Sequence, residues 1–228
     1  ACTYCYAAFF SRTQEKQDTW GRWVDVKTNA VDKLRRMRTD LTGATVYMSS
    51  VTDPYQPVER HAEVVRDLLP ILAERGVRLV IQTRSGLVTR DIDLFQKFET
   101  IQVNMTVTTD SERVRRAFEP ECPTNRIRLD AATALVQAGV PTVITMTPLL
   151  PVENVKRFAE QLVATGVERF VVQPFHADKG RFVAGTRKQA LTVVAELGWT
   201  AAQYRDAVND LRRALPELSE GKQGFSPK

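Results

Sequence analysis

Cysteine is scarce. The chain has 228 residues and three cysteines, Cys2, Cys5 and Cys122. An odd, sparse set argues against a disulfide framework and suits a reducing, cytoplasmic setting. Histidine is scarcer still, with only His61 and His176, and the two show no metal-ligand spacing. His61 reads as a surface residue of a helix, and His176 as either a substrate-facing or a plain loop residue. Long apolar runs are missing too. None approaches the roughly 18–20 residues that a membrane span needs, so no membrane partner is expected. Low-complexity stretches and internal linkers are absent, which leaves one domain over 1–228. A hydrophobic content of 43% with 26% charged residues fits a globular chain long enough to bury a sizeable core. The net charge of +5 suits an anionic partner such as nucleic acid, or simply a solvated basic surface.

One unit recurs. A helix-patterned segment ends in Gly, Val follows, and a β-rich run begins: Gly76-Val77, Gly139-Val140 and Gly166-Val167. Glycine takes the left-handed conformation that closes a helix at no steric cost. The helices carry apolar stripes at i, i+3, i+4 and i+7. Examples are Val65, Leu68, Leu69 and Leu72; Val155, Phe158, Ala159 and Leu162; and Tyr204, Ala207, Val208 and Leu211. Pro70 is expected to kink the first of these. Five strands are expected near 44–50, 77–83, 101–107, 141–147 and 169–175. Alternating strands and helices predict parallel βαβ units. The barrel is expected over about 1–185, C-terminal helices over 186–218 and a polar tail over 219–228.

The chain opens Ala1-Cys2-Thr3-Tyr4-Cys5-Tyr6-Ala7. Two cysteines three apart can present both sulfurs to one metal centre. Zinc, an iron–sulfur cluster and a thiol redox pair all use this spacing. Polar residues gather at the predicted strand ends: Ser49, Ser50, Thr52 and Asp53; Gln82, Thr83, Arg84 and Ser85; Asn104, Thr106 and Thr108; Thr145 and Thr147; Gln173 and His176. Parallel α/β barrels build their sites there.

Cys-x-Tyr-Cys-Tyr-Ala resembles the second half of the Cys-x3-Cys-x2-Cys cluster loop of the radical S-adenosylmethionine superfamily. Thr52-Asp53-Pro54-Tyr55-Gln56-Pro57 is similar to a signature of its spore photoproduct lyase-like branch. So are Val114-Arg115-Arg116-Ala117-Phe118-Glu119-Pro120 with Arg126 and Arg128, and Thr147-Pro148-Leu149-Leu150-Pro151. The resemblance spans residues 1 to about 175. It implies an α/β fold, a partial (β/α)6 TIM-like barrel of parallel strands. The third cluster cysteine is expected four residues before Cys2, where this sequence does not reach. The first barrel strand is expected to precede the loop, so the chain is expected to be N-terminally truncated.

The resemblance further implies a [4Fe–4S] cluster and S-adenosylmethionine as cofactors. Cys2 and Cys5 are the implied metal ligands. Tyr4 and Tyr6 are the implied catalytic tyrosines, with Tyr6 near adenine and Tyr4 shielding the cluster or relaying hydrogen. Ser49, Ser50, Asp53, Asn104, Thr106, Arg116 and Thr145 are the implied cofactor contacts. For Asp53 the alternative is a turn before Pro54, and for Arg116 the rival is Arg115. Glu119 is expected to pair with Arg116 or Arg126, and Cys122 to stand apart as a bystander thiol. The implied activity is reductive cleavage of S-adenosylmethionine to a 5′-deoxyadenosyl radical, acting on a candidate nucleic-acid substrate in the manner of a DNA photoproduct lyase. A flavodoxin or ferredoxin is the implied electron donor. A non-catalytic zinc- or cluster-binding module is the alternative.

Overall fold

The computed structural model describes residues 2–11, 13–49, 51–175 and 188–221. Six strands form one sheet in the order of the chain: β1 (Thr45–Met48), β2 (Arg78–Thr83), β3 (Thr100–Thr106), β4 (Thr142–Met146), β5 (Arg169–Val172) and β6 (Glu217–Glu220). Every neighbouring pair is parallel. At least one helix follows each of β1 to β5, as parallel connections require. The fold is a partial (β/α) barrel.

Strand periodicity divides the sheet into two unlike faces. Leu79 and Ile81, Ile101, Val103 and Met105, Ile144 and Met146, and Phe170 and Val172 enter one hydrophobic core. The helices pack there through Leu69 and Leu72, Phe158 and Leu162, and Val208 and Leu211. Fully burying each such side chain is worth about 1.5–3 kcal/mol. The alternate residues, Gln82, Gln102, Asn104, Thr106 and Thr145, face the other way and form a polar interior. The helices therefore cover one face, and the concave face is left for chemistry.

Gly76, Gly139 and Gly166 all adopt positive φ (63°, 74° and 78°), so the recurring helix–Gly–Val–strand unit is a true left-handed helix stop. The helix Val64–Glu74 continues through Pro70. One sequence expectation changes. The segment expected to be a polar tail from residue 219 begins inside β6, which pairs Arg169 with Glu217 and Val172 with Glu220. Its sequence, Glu-Leu-Ser-Glu, is short and polar because it lies at the sheet edge, where charge discourages further pairing.

Candidate active site at the strand ends

The cysteine loop is a tight turn. The Cys5 amide donates to the Cys2 carbonyl at 3.2 Å, and the Tyr6–Phe10 3₁₀ turn follows. The Thr3 amide and hydroxyl both donate to the Phe118 carbonyl, at 2.7 and 3.1 Å. The loop is thereby fastened to the end of the helix Glu112–Phe118. Cys2 is buried and Cys5 half-buried.

The two tyrosines part company. Tyr4 points inward, with its ring against Phe118 and Phe175 and its hydroxyl donating to Glu119 Oε1. Arg84 Nη2 donates to the Tyr4 hydroxyl oxygen at 3.1 Å. Tyr6 is 38% exposed and lies edge-on to Phe10. Burial, reinforced by the negative charge of Glu119 and opposed by Arg84, keeps Tyr4 a neutral phenol far above its ordinary range.

Glu119 is the hub of this network and has no exposed surface. Its Oε1 also accepts from Thr108 Oγ1 at 3.0 Å. Arg128 Nη2 lies 2.6 Å from its Oε2, and Arg84 Nε lies 3.5 Å from Oε1. Burial alone would raise the Glu119 pKa. The Arg128 and Arg84 charges and the Tyr4 hydrogen bond outweigh it and bring the value from 4.5 to about 2. Glu119 therefore pairs with Arg128 and Arg84, not with Arg116 or Arg126.

Arg116 is exposed, whereas Val114, Arg115 and Phe118 face inward. Arg116, implied as a cofactor contact, lies on the exposed side of this helix: positions 114, 115 and 118 share one face, and 116 lies away from it. Arg115 is the inward residue, but its Nε and Nη1 are already engaged. It bonds Glu112 Oε2 at 2.6 Å and the carbonyls of Glu119 and Cys122 at 2.9 and 2.8 Å. It shapes the turn that presents Glu119. The helix itself starts on Ser111, whose hydroxyl accepts from the Val114 amide.

Asp53 has committed its carboxylate to the loop. It accepts from the Tyr55 amide (2.9 Å), the Thr83 hydroxyl (2.7 Å) and the Arg84 amide (2.7 Å). The bond from the Tyr55 amide closes a turn across Pro54, the role read as its alternative, and the bond from the Arg84 amide also sets the backbone at the exit of β2. Thr106 and Thr145 hydroxyls lie 2.9 Å apart, and the Gln82 amide donates to both. The Tyr47 hydroxyl donates to Gln82 Oε1 at 2.8 Å. Asn104 accepts from Gln102, yet its buried amide nitrogen lacks a well-formed hydrogen bond. The buried Ser49 hydroxyl at the exit of β1 likewise has none. Ser50 and His176 lie outside the described residues.

Cys122 does not stand apart from the site. Its sulfur is 3.8 Å from Cys2 Sγ. The hydrogen bond from Cys122 outweighs burial, and with the charge of Arg84 it lowers the Cys2 pKa from 9.0 to about 7. Burial raises that of Cys5. Arg84, Arg128, Gln82 and Tyr47 carry the architecture of the site. The sequence placed Arg84 and Gln82 at strand ends, but nothing in it pairs either with Glu119 or Thr145.

The family model described as the Radical SAM superfamily matches residues 1–162. An uncharacterized protein of Methanocaldococcus jannaschii is 36% identical over 151 residues, which cover 66% of this chain and 56% of that one. An uncharacterized protein of Mycobacterium tuberculosis is 28% identical over 191 residues, covering 77% of this chain and 55% of that one. The chain thus spans a little over half the length of these relatives. Among solved structures, a spore photoproduct lyase complexed with dinucleoside spore photoproduct matches with a TM-score of 0.57 at 15% identity. That match covers 96% of this chain and 72% of the other, and it is a likeness of fold.

The residues present suit the family's cofactors in chemistry. Cys2 and Cys5 offer two soft thiol ligands from one loop, and among the described residues no three His, Cys, Asp or Glu converge on a point. The buried Ser49 hydroxyl leaves hydrogen-bonding capacity unused at the exit of β1, as a polar ligand there requires, while the Asn104 amide meets the Tyr47 hydroxyl.

Proposed function

Because this chain belongs to the radical SAM superfamily, we propose that it is the core of an enzyme that cleaves S-adenosylmethionine reductively at a [4Fe–4S] cluster and acts on a nucleic-acid substrate. The observation that carries this reading is the seat of the Cys2–Cys5 loop. Through Tyr4 it is bonded to Glu119 and Arg84, directly over the exits of β2 and β3.

When bound, the cluster and S-adenosylmethionine supply an electron and a 5′-deoxyadenosyl radical. The chain's residues supply the rest. Cys2 and Cys5 would hold two irons of the cluster. Ser49, with Ser50 beside it in sequence, and Asn104 would take polar groups of the cofactor, and the Thr106 and Thr145 hydroxyls, oriented by Gln82, would line its adenosyl part. Asp53 fixes Arg84, and Arg84 and Glu119 fix Tyr4 against the loop. Tyr4 and the phenyl rings beside it keep water from the cysteines, and Tyr6 stands at the mouth. A role for Arg116 is confined to the outer surface, where its charge can meet phosphate.

Support for the substrate class comes from the surface. Tyr6, Phe9 and Phe10 are 38%, 41% and 57% exposed beside the loop, and exposed aromatic rings on a basic protein are stacking platforms for bases. The lyase of similar fold was solved with a dinucleoside photoproduct. A flavodoxin- or ferredoxin-type donor fits the one-electron demand, and among the described residues no helix is long and apolar enough to cross a membrane.

The test is anaerobic reconstitution of the full-length protein with iron and sulfide, followed by S-adenosylmethionine, dithionite and an ultraviolet-irradiated oligothymidylate. Formation of 5′-deoxyadenosine together with a change in the oligonucleotide is expected. Absence of 5′-deoxyadenosine contradicts the reaction. Its formation with the oligonucleotide neither bound nor altered contradicts the substrate class alone.

A further inference from the structure

Cys2 and Cys122 are 120 residues apart, yet their sulfurs are 3.8 Å apart. Both backbones are held on one piece of structure. Thr3, next to Cys2, is fastened to the Phe118 carbonyl. The Cys122 amide donates to the Glu119 carbonyl at 3.1 Å, and Arg115 Nη1 donates to the Cys122 carbonyl at 2.8 Å. The two thiols therefore face each other across the turn that ends the helix Glu112–Phe118. A disulfide needs its sulfurs at about 2.05 Å, so closure asks for a shift of about 1.8 Å. Among the described residues this is the sulfur pair in hydrogen-bond contact; Cys5 makes no such contact with either.

We propose that Cys2 and Cys122 form a reversible disulfide in the cluster-free protein, an oxidative modification site that withdraws Cys2 from metal binding. The oxidant is a peroxide. One thiolate attacks the peroxide oxygen, giving a sulfenic acid and releasing one water. The second thiol attacks that sulfur, forming the S–S bond and releasing a second water. Two electrons leave the sulfur pair and reduce one hydrogen peroxide to two waters. A dithiol reductant reverses the modification by exchange. The pairing differs from what the Cys2-x-x-Cys5 spacing alone suggests, and it protects a cluster cysteine from further oxidation while no iron is bound. Its consequence for iron rests on Cys2 being a cluster ligand; the disulfide itself does not.

The test uses the full-length protein, purified without iron and fully reduced. It is treated with hydrogen peroxide, its free thiols are alkylated, and its peptides are mapped without reduction. A Cys2–Cys122 cross-link with Cys5 alkylated is expected, lost on dithiothreitol treatment and absent in Cys122→Ser. A cross-link from Cys2 to Cys5 or to any cysteine other than Cys122, or alkylation of both Cys2 and Cys122, overturns the inference. Iron uptake is measured in parallel. Oxidised protein should load at least about tenfold less iron than reduced protein, and dithiothreitol should restore loading. Equal loading of oxidised and reduced protein overturns the protective role. No loading by never-oxidised protein, with the cross-link present, strikes the cluster assignment and leaves the disulfide standing.

Discussion

Glu119 shows how one residue couples the cysteine loop to the barrel. It is fully buried and gathers Tyr4, Thr108, Arg84 and Arg128. Removing one partner of a buried ion pair costs about 3–5 kcal/mol, because the other charge is left without compensation. Glu119→Gln should therefore lower the unfolding free energy by about 3 kcal/mol in a urea titration at pH 7. The pH dependence has a fixed sign. The folded-state pKa is depressed from 4.5 to about 2, so the stabilisation is fully present above 4.5 and is lost as the pH falls toward 2. The gap between wild type and variant should close over that window; a gap that stays constant down to pH 2 would contradict the assigned partners. The Glu119-Pro120 segment was recognisable in the sequence, and so was the importance of an arginine near it. Which arginine was not, because Arg115 and Arg116 differ only by 100° around a helix whose facing surface no local pattern specifies. Arg84 and Arg128 come from other elements and meet Glu119 only in the folded chain.

The elements were far more legible than the contacts between them. Runs of β-favouring residues placed β1 to β5, and the Gly–Val junctions marked where helices stop. Those junctions also separate two physical costs. Gly139 has φ 74° and nothing within 4 Å of an added Cβ, whereas Gly166 has φ 78° and Val136 Cγ1 at 3.2 Å. Both alanine variants pay the left-handed backbone cost, about 1–2 kcal/mol. Gly166→Ala must also displace Val136, so its loss of stability in urea should be the larger; equal losses would mean the backbone cost alone matters there. The strand that escaped sequence reading was β6. Four residues of which three are polar carry no strand pattern, and the segment is recruited by pairing with β5 and by hydrogen bonds from Tyr204 and Arg212 to Glu220.

At the scale of the molecule, the sheet sorts its residues by face. Apolar side chains meet the helices, and polar ones line the concave side under the cysteine loop. The cluster motif was visible in seven residues at one end of the chain, but the seat it occupies is built from residues 49 to 175. The buried Ser49 hydroxyl at the exit of β1 has no hydrogen-bond partner among the described residues, and the Asn104 amide meets Tyr47. The measurement that tests this account most directly is electron paramagnetic resonance of the full-length protein, reconstituted and reduced anaerobically, with and without S-adenosylmethionine. The expected result is the signal of a reduced [4Fe–4S] cluster that shifts when S-adenosylmethionine is added and is absent in Cys5→Ala. A cluster signal indifferent to S-adenosylmethionine, or stoichiometric zinc in place of iron, would contradict it.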